Sequence, residues 1–458
     1  MKHLMKKIKF KYIFTITIIY LSILSCDNST SQPQTRIETV IDTIHGVAFE
    51  DPYRWLEDRY SKETLDWIEK QNVYAEKVIG NSTFRKNINK RLHELSTYDP
   101  FITPTEAGDY QYFTYRPKNS ELPIIFRRKT PSDQNDKNSP VDLSLSYETV
   151  LDPNGKTPEN TLRYSIAGFS NSGDLMAYSV RDGGEDEIKI RIYDVINHVE
   201  LPDSLPWSLY NHSGGFTFDK SDLGFYYVKR SRIDGPRVMY HKLGTELEQD
   251  IEIFGSDYGP ESFISANYVE DGKYLIFTVQ HGWSKSEIHF KDLNNNTSPI
   301  SIIEGIDARF YTKYLDGRLY ARTNYGADKN RLISIDLNNF SPSNWEEVIP
   351  ESENVMENFS LIDDMFFVRY LVDGSNKIKV FSKTGKYIKN IDTPRFSNAS
   401  ISKVNNSISM KVSSFLNPQE IYNLDEDLNQ GKMIYKQNVN WDPNEYICLL
   451  YTSDAADE

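Results

Sequence analysis

Cysteine is almost missing from this chain: Cys26 and Cys448 are the only two in 458 residues, so no disulfide framework is expected. Positive charge is scarce too. There are 52 lysines and arginines against 66 acids, a formal net charge of −14. Nucleic-acid binding needs a basic footprint that such a body lacks. Lys2, Lys6, Lys7, Lys9 and Lys11 stand before any acid, so the remainder is more acidic still. The apolar run 12–24 is too short to cross a bilayer of ~30 Å as a helix. Of the eight histidines, none pairs with a carboxylate cluster at metal-ligand spacing, and no glycine-rich phosphate loop leads from a strand into a helix. The acidic run from Asp182 to Glu187 does not fit the ligand spacing of an EF-hand. No metal or other cofactor is therefore expected. The Gly-x-Ser-x-Gly elbow of a serine hydrolase is also missing. Gly168-Phe169-Ser170-Asn171-Ser172 lacks the closing glycine, and His212-Ser213-Gly214-Gly215 has no strand–elbow–helix context.

What the chain does have is aromatic surface. Its 30 tyrosines and 23 phenylalanines suit pleated, half-buried strands. Its ends read differently from its body. The lysine-rich start and the run 12–24 form a secretory signal over residues 1–25. Ile23-Leu24-Ser25-Cys26 resembles a bacterial lipobox, with Cys26 the lipidated residue and 26–37 a polar tether; an ordinary signal peptide with an incidental cysteine is the alternative. These features predict a protein exported to the bacterial cell envelope and held on a membrane by a lipid anchor. Residues 448–458 resemble a sequencing adapter translated in frame, the alternative being a natural acidic tail.

Between these ends, the pattern is helical from Glu57 to Leu95. Ser61 is placed to start a helix, and Leu65, Ile68, Val73, Ala75 and Val78 recur at helical spacing. After Tyr98 the texture becomes short strands separated by turn signals such as Asn-Ser-Gly-Asp (171–174), Asp-Gly-Lys (271–273), Asp-Gly-Arg (316–318) and Thr-Gly-Lys (384–386). A turn–strand–loop–strand unit recurs from Gly173, Asp271, Asp316 and Asp363, with a double gap after the first. A period of roughly 45–50 residues is the mark of four-stranded propeller blades, and the length admits about seven. A series of β-sandwiches is the structural alternative. The fold class expected is mostly all-β: a seven-bladed β-propeller over 91–437, preceded by a short α-helical segment.

One segment is more specific than any period. His45-Gly46, then Asp51-Pro52-Tyr53-Arg54-Trp55-Leu56-Glu57-Asp58, with Trp67-Ile68-Glu69 and Gln71-Asn72 following, resembles the start of the prolyl oligopeptidase family of serine peptidases. The resemblance continues through Leu151-Asp152-Pro153-Asn154, Tyr240-His241-Lys242-Leu243-Gly244-Thr245 and Ser413-Ser414-Phe415-Leu416-Asn417-Pro418. It implies that residues 38–90 belong to an α/β-hydrolase domain absent from this chain. Residues 438–447, with Trp441-Asp442-Pro443, would cross back toward that domain. It further implies a monomeric serine endopeptidase acting on short peptides after proline, with the propeller filtering substrates. The catalytic serine, aspartate and histidine would lie beyond Ile447, leaving no catalytic residue here and an inactive chain. In that family an arginine on the strand after an Asp-Gly-Lys/Arg-Tyr turn reaches the substrate backbone; the matching position here is Gln280, and a nearby family cysteine matches Trp283. Glutamine cannot form a charged bidentate fork, which puts strict proline specificity in question. Gln280 and Trp283 are the candidate substrate-binding residues. A non-enzymatic lipoprotein propeller that binds a partner is the competing reading.

Overall fold

A computed structural model describes residues 31–80, 82–96, 102–132, 141–208, 215–270, 272–295, 297–404 and 407–449. Cys26 and the signal segment, the His212-Ser213 pair, Asp271 and residues 450–458 lie outside the described residues. The chain divides into two compact units, Met1–Tyr98 and Asp99–Glu458.

In the first unit, Val40–Ile44 and Val47–Asp51 form a hairpin. His45 and Gly46 both take positive φ at its tip (53° and 80°), the backbone that lets a two-residue turn follow the twist of its strands. The α-helix Lys62–Ala75 begins where Ser61 accepts a hydrogen bond from the Thr64 N–H, which satisfies one orphan donor of the first turn. A π-turn, Glu76–Gly80, separates it from a second helix, Thr83–Ser96.

The acids of the Asp51–Asp58 stretch do not cap that helix. Asp51 instead accepts from the Tyr53 N–H (2.9 Å) and from Arg54 Nε (2.7 Å), while Asp58 accepts from the Tyr60 N–H. Short carboxylates close local turns in this way before a helix can form. Trp55 donates from Nε1 to the Arg36 carbonyl, Trp67 donates to Thr35, and the Arg36 guanidinium covers the Trp55 ring at 4.8 Å. The two tryptophans thus fasten the incoming chain. Among the described residues of this unit, only Thr64 is fully buried.

The second unit is a seven-bladed β-propeller: seven four-stranded antiparallel sheets, each with its strands in chain order. They span 105–151, 163–204, 216–254, 262–303, 310–349, 355–391 and 397–436, blades 1 to 7. The second and third strands of a blade are its most apolar. Leu175–Arg181 is buried at all five interior positions, and Arg331–Asp336 is similar. Such strands lie between neighbouring sheets and need apolar residues on both faces, so they read as runs rather than alternations. The core is correspondingly divided into layers between blades. Ala177, Ile190 and Ile192 of blade 2 meet Phe218, Phe225 and Met239 of blade 3, and Ile276 and Ile288 of blade 4 meet Phe310, Leu319 and Ile333 of blade 5.

The double gap in the sequence repeat holds blade 3. Its first turn carries no Asp-Gly pair; Asp222 takes the positive φ (57°) itself, as Asp and Asn tolerate better than other residues. First strands of neighbouring blades touch, Arg163–Phe169 against Phe216–Phe218 and Val355–Ile362 against Ser397–Val404. Each pairs within its blade along one edge only, which leaves the other edge toward the hub. After blade 7, Trp441 donates from Nε1 to the Leu416 carbonyl (3.1 Å), and Asp442 caps a single turn, Pro443–Glu445.

Candidate functional site at the propeller hub

A cavity of about 1130 Å³ opens along the hub beside blades 3, 4 and 5. The first strand of blade 4, Ser262–Val269, alternates between buried and open positions at its start, and its register decides which groups share a wall. Phe263 stands opposite Gln280, Ser265 opposite Thr278, and Asn267 opposite Ile276. All six line the cavity. Facing groups come from the first strand of blade 5, with Tyr311 and Lys313, and from the end of the second strand of blade 3, with Arg230. The strand edges also carry backbone donors and acceptors unused by the sheet, which an extended chain can pair with.

Gln280 therefore lies in the wall of the cavity. Trp283 does not. It stands on the following turn at 91% exposure, beside Gly282 with its positive φ of 60°. The two candidates are close in sequence, but only one contributes to the cavity.

Next to Gln280 is a buried polar cluster. Glu287 accepts from the Tyr258 hydroxyl (3.0 Å), lies 3.1 Å from His281 Nε2 and 3.5 Å from Lys285 Nζ, and Tyr258 also contacts His289 at 3.0 Å. Burial opposes the charge on Glu287. The Tyr258 hydrogen bond and the His281 and Lys285 charges outweigh it and hold the carboxyl below its usual range. Burial pushes His289 down toward its neutral form. This cluster braces the hairpin that carries Gln280 at one end.

Positive charge in and around the cavity exceeds what the nearby carboxylates supply. Arg230, Arg232 and Lys313 line it, against Asp186 alone among the acids. Arg232 reaches Glu187 at 3.3 Å. The Arg230 guanidinium lies over the Phe263 ring at 3.8 Å and donates to the Pro260 carbonyl, and Lys313 lies over Tyr311 at 5.5 Å. These residues come from separate blades with no shared local motif, and the sequence reading missed them. Among the described residues, no group of three or more His, Cys, Asp or Glu side chains is arranged to hold a metal, and no helix is long and apolar enough to cross a membrane.

Comparison with known proteins places this geometry in context. Residues 32–437 match the family described as prolyl oligopeptidase, N-terminal beta-propeller domain. The prolyl endopeptidase of Elizabethkingia meningoseptica is 28% identical over 442 aligned residues, covering 93% of this chain and 60% of that protein. The prolyl endopeptidase of Dictyostelium discoideum is 24% identical, covering 84% and 59%. A solved structure from a study of two prolyl endopeptidases, concerned with inter-domain dynamics in catalysis and specificity, superposes with a TM-score of 0.77 at 25% identity, covering 90% of this chain and 61% of the other. Prolyl oligopeptidase B of Galerina marginata, bound to a 35mer hydrolysis and macrocyclization substrate, shares the fold with a TM-score of 0.72 at 22% identity. The chain spans about 60% of the length of the relatives it matches.

Proposed function

Since the chain belongs to the prolyl oligopeptidase family, we propose that it forms the N-terminal segment and substrate-filtering propeller of an exported serine endopeptidase that cleaves short peptides after proline. The observation that carries this reading is the family match over 32–437 together with the hub cavity. At about 1130 Å³ the cavity has room for a short peptide and none for a folded domain. Acyl transfer through a serine ester needs a nucleophile, a base and oxyanion donors. In this reading they come from the part of the relatives that this chain does not span, and 38–90 packs on that part. The chain alone then turns over no peptide. Gln280 contacts the substrate from the cavity wall as an uncharged hydrogen-bonding group, and Trp283 does so from the adjacent turn. The protein is a monomer, held in the cell envelope through acyl chains on Cys26.

The genomic sequence after Ile447 tests the reading. An in-frame hydrolase domain with a Gly-x-Ser-x-Gly elbow is expected, and a natural stop codon there overturns it. Peptide turnover by the isolated chain, blocked by a serine-directed phosphonate, would contradict its predicted inactivity. Labelled palmitate should be incorporated in the bacterial host and lost in Cys26→Ala; incorporation that survives this change removes the anchor. A non-enzymatic lipoprotein propeller that binds a partner in the hub cavity is the second reading. A stop codon after Ile447 would support it.

A further inference from the structure

We propose that the hub cavity holds a carboxylate-binding subsite, formed by Arg230, Lys313 and Gln280, that selects peptides carrying an acidic side chain or a free C-terminus.

The argument begins with charge. The chain as a whole is acidic at −14, yet the lining of this cavity is basic, with three cations and one carboxylate. Arg232 has an acidic neighbour in Glu187. Arg230 and Lys313 have none among the described residues; they lie against aromatic rings and, for Arg230, a carbonyl oxygen. Nε of Arg230 is buried with no hydrogen-bond partner. Over the Phe263 ring and donating to Pro260, the Arg230 guanidinium keeps its positive charge without a carboxylate beside it.

The neighbouring arginines report the same excess. Arg322 lies opposite Tyr311 in register, with its guanidinium 5.7 Å from that ring. Burial and then the adjacent Arg309 hold Arg322 below its ordinary value, with Arg369 adding to the effect, and the nearby Tyr311 and Glu357 only partly offset this. Glu357 itself is engaged by Asn376 at 2.7 Å and Arg369 at 3.3 Å. A partly desolvated region with surplus cations attracts an anion more strongly than the same charges would in bulk water.

A carboxylate suits this site because two cations, Arg230 and Lys313, and the amide of Gln280 line one cavity. Gln280 can donate its side-chain amide to the same oxygen pair. Aromatic Phe263 and Tyr311 supply apolar walls for the aliphatic part of a peptide. The subsite rests on the reading of this chain as a peptide filter, and it adds a charge preference to that reading.

Calorimetric titration of the 458-residue chain tests it with four probes: an acetylated and amidated proline tetrapeptide containing one glutamate, its glutamine counterpart, that counterpart with a free C-terminal carboxylate, and N-acetylglutamate. We expect one or both carboxylate-bearing peptides to bind about tenfold more tightly than the neutral one. The glutamate and free-terminus arms tell the two sources of carboxylate apart. The advantage should shrink as ionic strength rises. It should be lost in the double variant Arg230→Gln, Lys313→Gln and kept in Arg230→Lys, with the melting temperature of each variant confirming the fold. Equal binding of the three peptides overturns the subsite and leaves the peptide filter standing. A preference that survives the double variant also overturns the subsite. Binding of N-acetylglutamate without binding of any peptide supports the subsite and removes the peptide reading. Binding of no probe overturns the subsite.

Discussion

Asp222 of blade 3 accepts two hydrogen bonds from Asn171 of blade 2, one from the backbone N–H at 2.7 Å and one from the side-chain amide at 2.8 Å. The Ser172 N–H adds a third at 2.9 Å. A turn of one blade is thus clamped by a single carboxylate of the next. Burial opposes the charge on Asp222, but the N–H donors of Asn171 and Ser172 outweigh it and hold the carboxyl below the ordinary aspartate value of 3.8. A folded-state value lower than the unfolded one stabilises fully above the unfolded value, and the contribution is lost as pH falls through the folded one. Asp222→Asn, which keeps the side chain's tolerance of positive φ, should therefore cost about 1–3 kcal/mol at neutral pH. Variant and parent should converge as the pH is lowered below about 4. Urea midpoints across pH measure this; a constant difference down to pH 2 would show that the carboxylate is not the source.

That clamp also shows where sequence reading stops. The strand Tyr274–His281 was legible because both faces are covered, which writes a largely apolar run, and Ile188–Asp194 because isoleucine alternates with polar residues. First strands were not. Ser262–Val269 and Phe310–Leu315 give part of each strand to the hub, where Ser265, Asn267 and Lys313 are at home, so their pattern dilutes into something like a loop. Blade 3 falls in the double gap of the sequence repeat because its turn uses an aspartate where the others show glycine signals. At the site, Gln280 was legible through a family motif. Arg230, Phe263 and Lys313 were not, since they meet only once three blades are arranged around one hub.

His241 is fully buried between two acids, with Nδ1 2.6 Å from Asp250 and Nε2 3.1 Å from Asp203. Asp203 belongs to blade 2 and the other two to blade 3, so the ring joins neighbouring sheets. Both ring nitrogens lie within hydrogen-bond distance of a carboxylate oxygen, so the ring bridges the two acids. His241→Ala removes that bridge from two buried acids. The expected cost is about 3–5 kcal/mol. The triple change Asp203→Asn, His241→Leu, Asp250→Asn should recover part of it, because buried charge is then absent. Denaturant unfolding of the three proteins gives the comparison, and a triple variant weaker than His241→Ala would refute the charge argument.

Gly385 and Gly155 share a positive φ, 81° and 72°, but not a neighbourhood. A Cβ at Gly385 would sit 1.8 Å from the Val348 carbonyl of blade 5, while one at Gly155 would meet nothing within 4 Å. Alanine at Gly155 should cost about 1–2 kcal/mol from left-handed backbone strain alone. Alanine at Gly385 carries that strain and must also push two blades apart, so it should cost clearly more. Paired melting curves measure the difference; equal losses would mean that the close approach relaxes freely.

The helices Lys62–Ala75 and Thr83–Ser96 should be far less protected than the blade strands in the isolated chain. Leu65 and Val73 are 52% and 59% exposed, Phe84 and Leu92 of the next helix are 75% and 59% exposed, and Thr64 alone in the first helix is buried. Helices of this length draw most of their stability from packing an apolar face, and these faces are uncovered. Amide exchange by mass spectrometry should therefore show Lys62–Ala75 exchanging far faster than the blade strand Tyr274–His281, whose Leu275, Phe277 and Val279 are completely buried. The same apolar surface should bind a dye such as ANS. Leu65→Glu with Val73→Lys should reduce that signal while leaving the propeller's melting temperature unchanged. Exchange in the helix as slow as in the blade strand would mean that something covers these faces in solution.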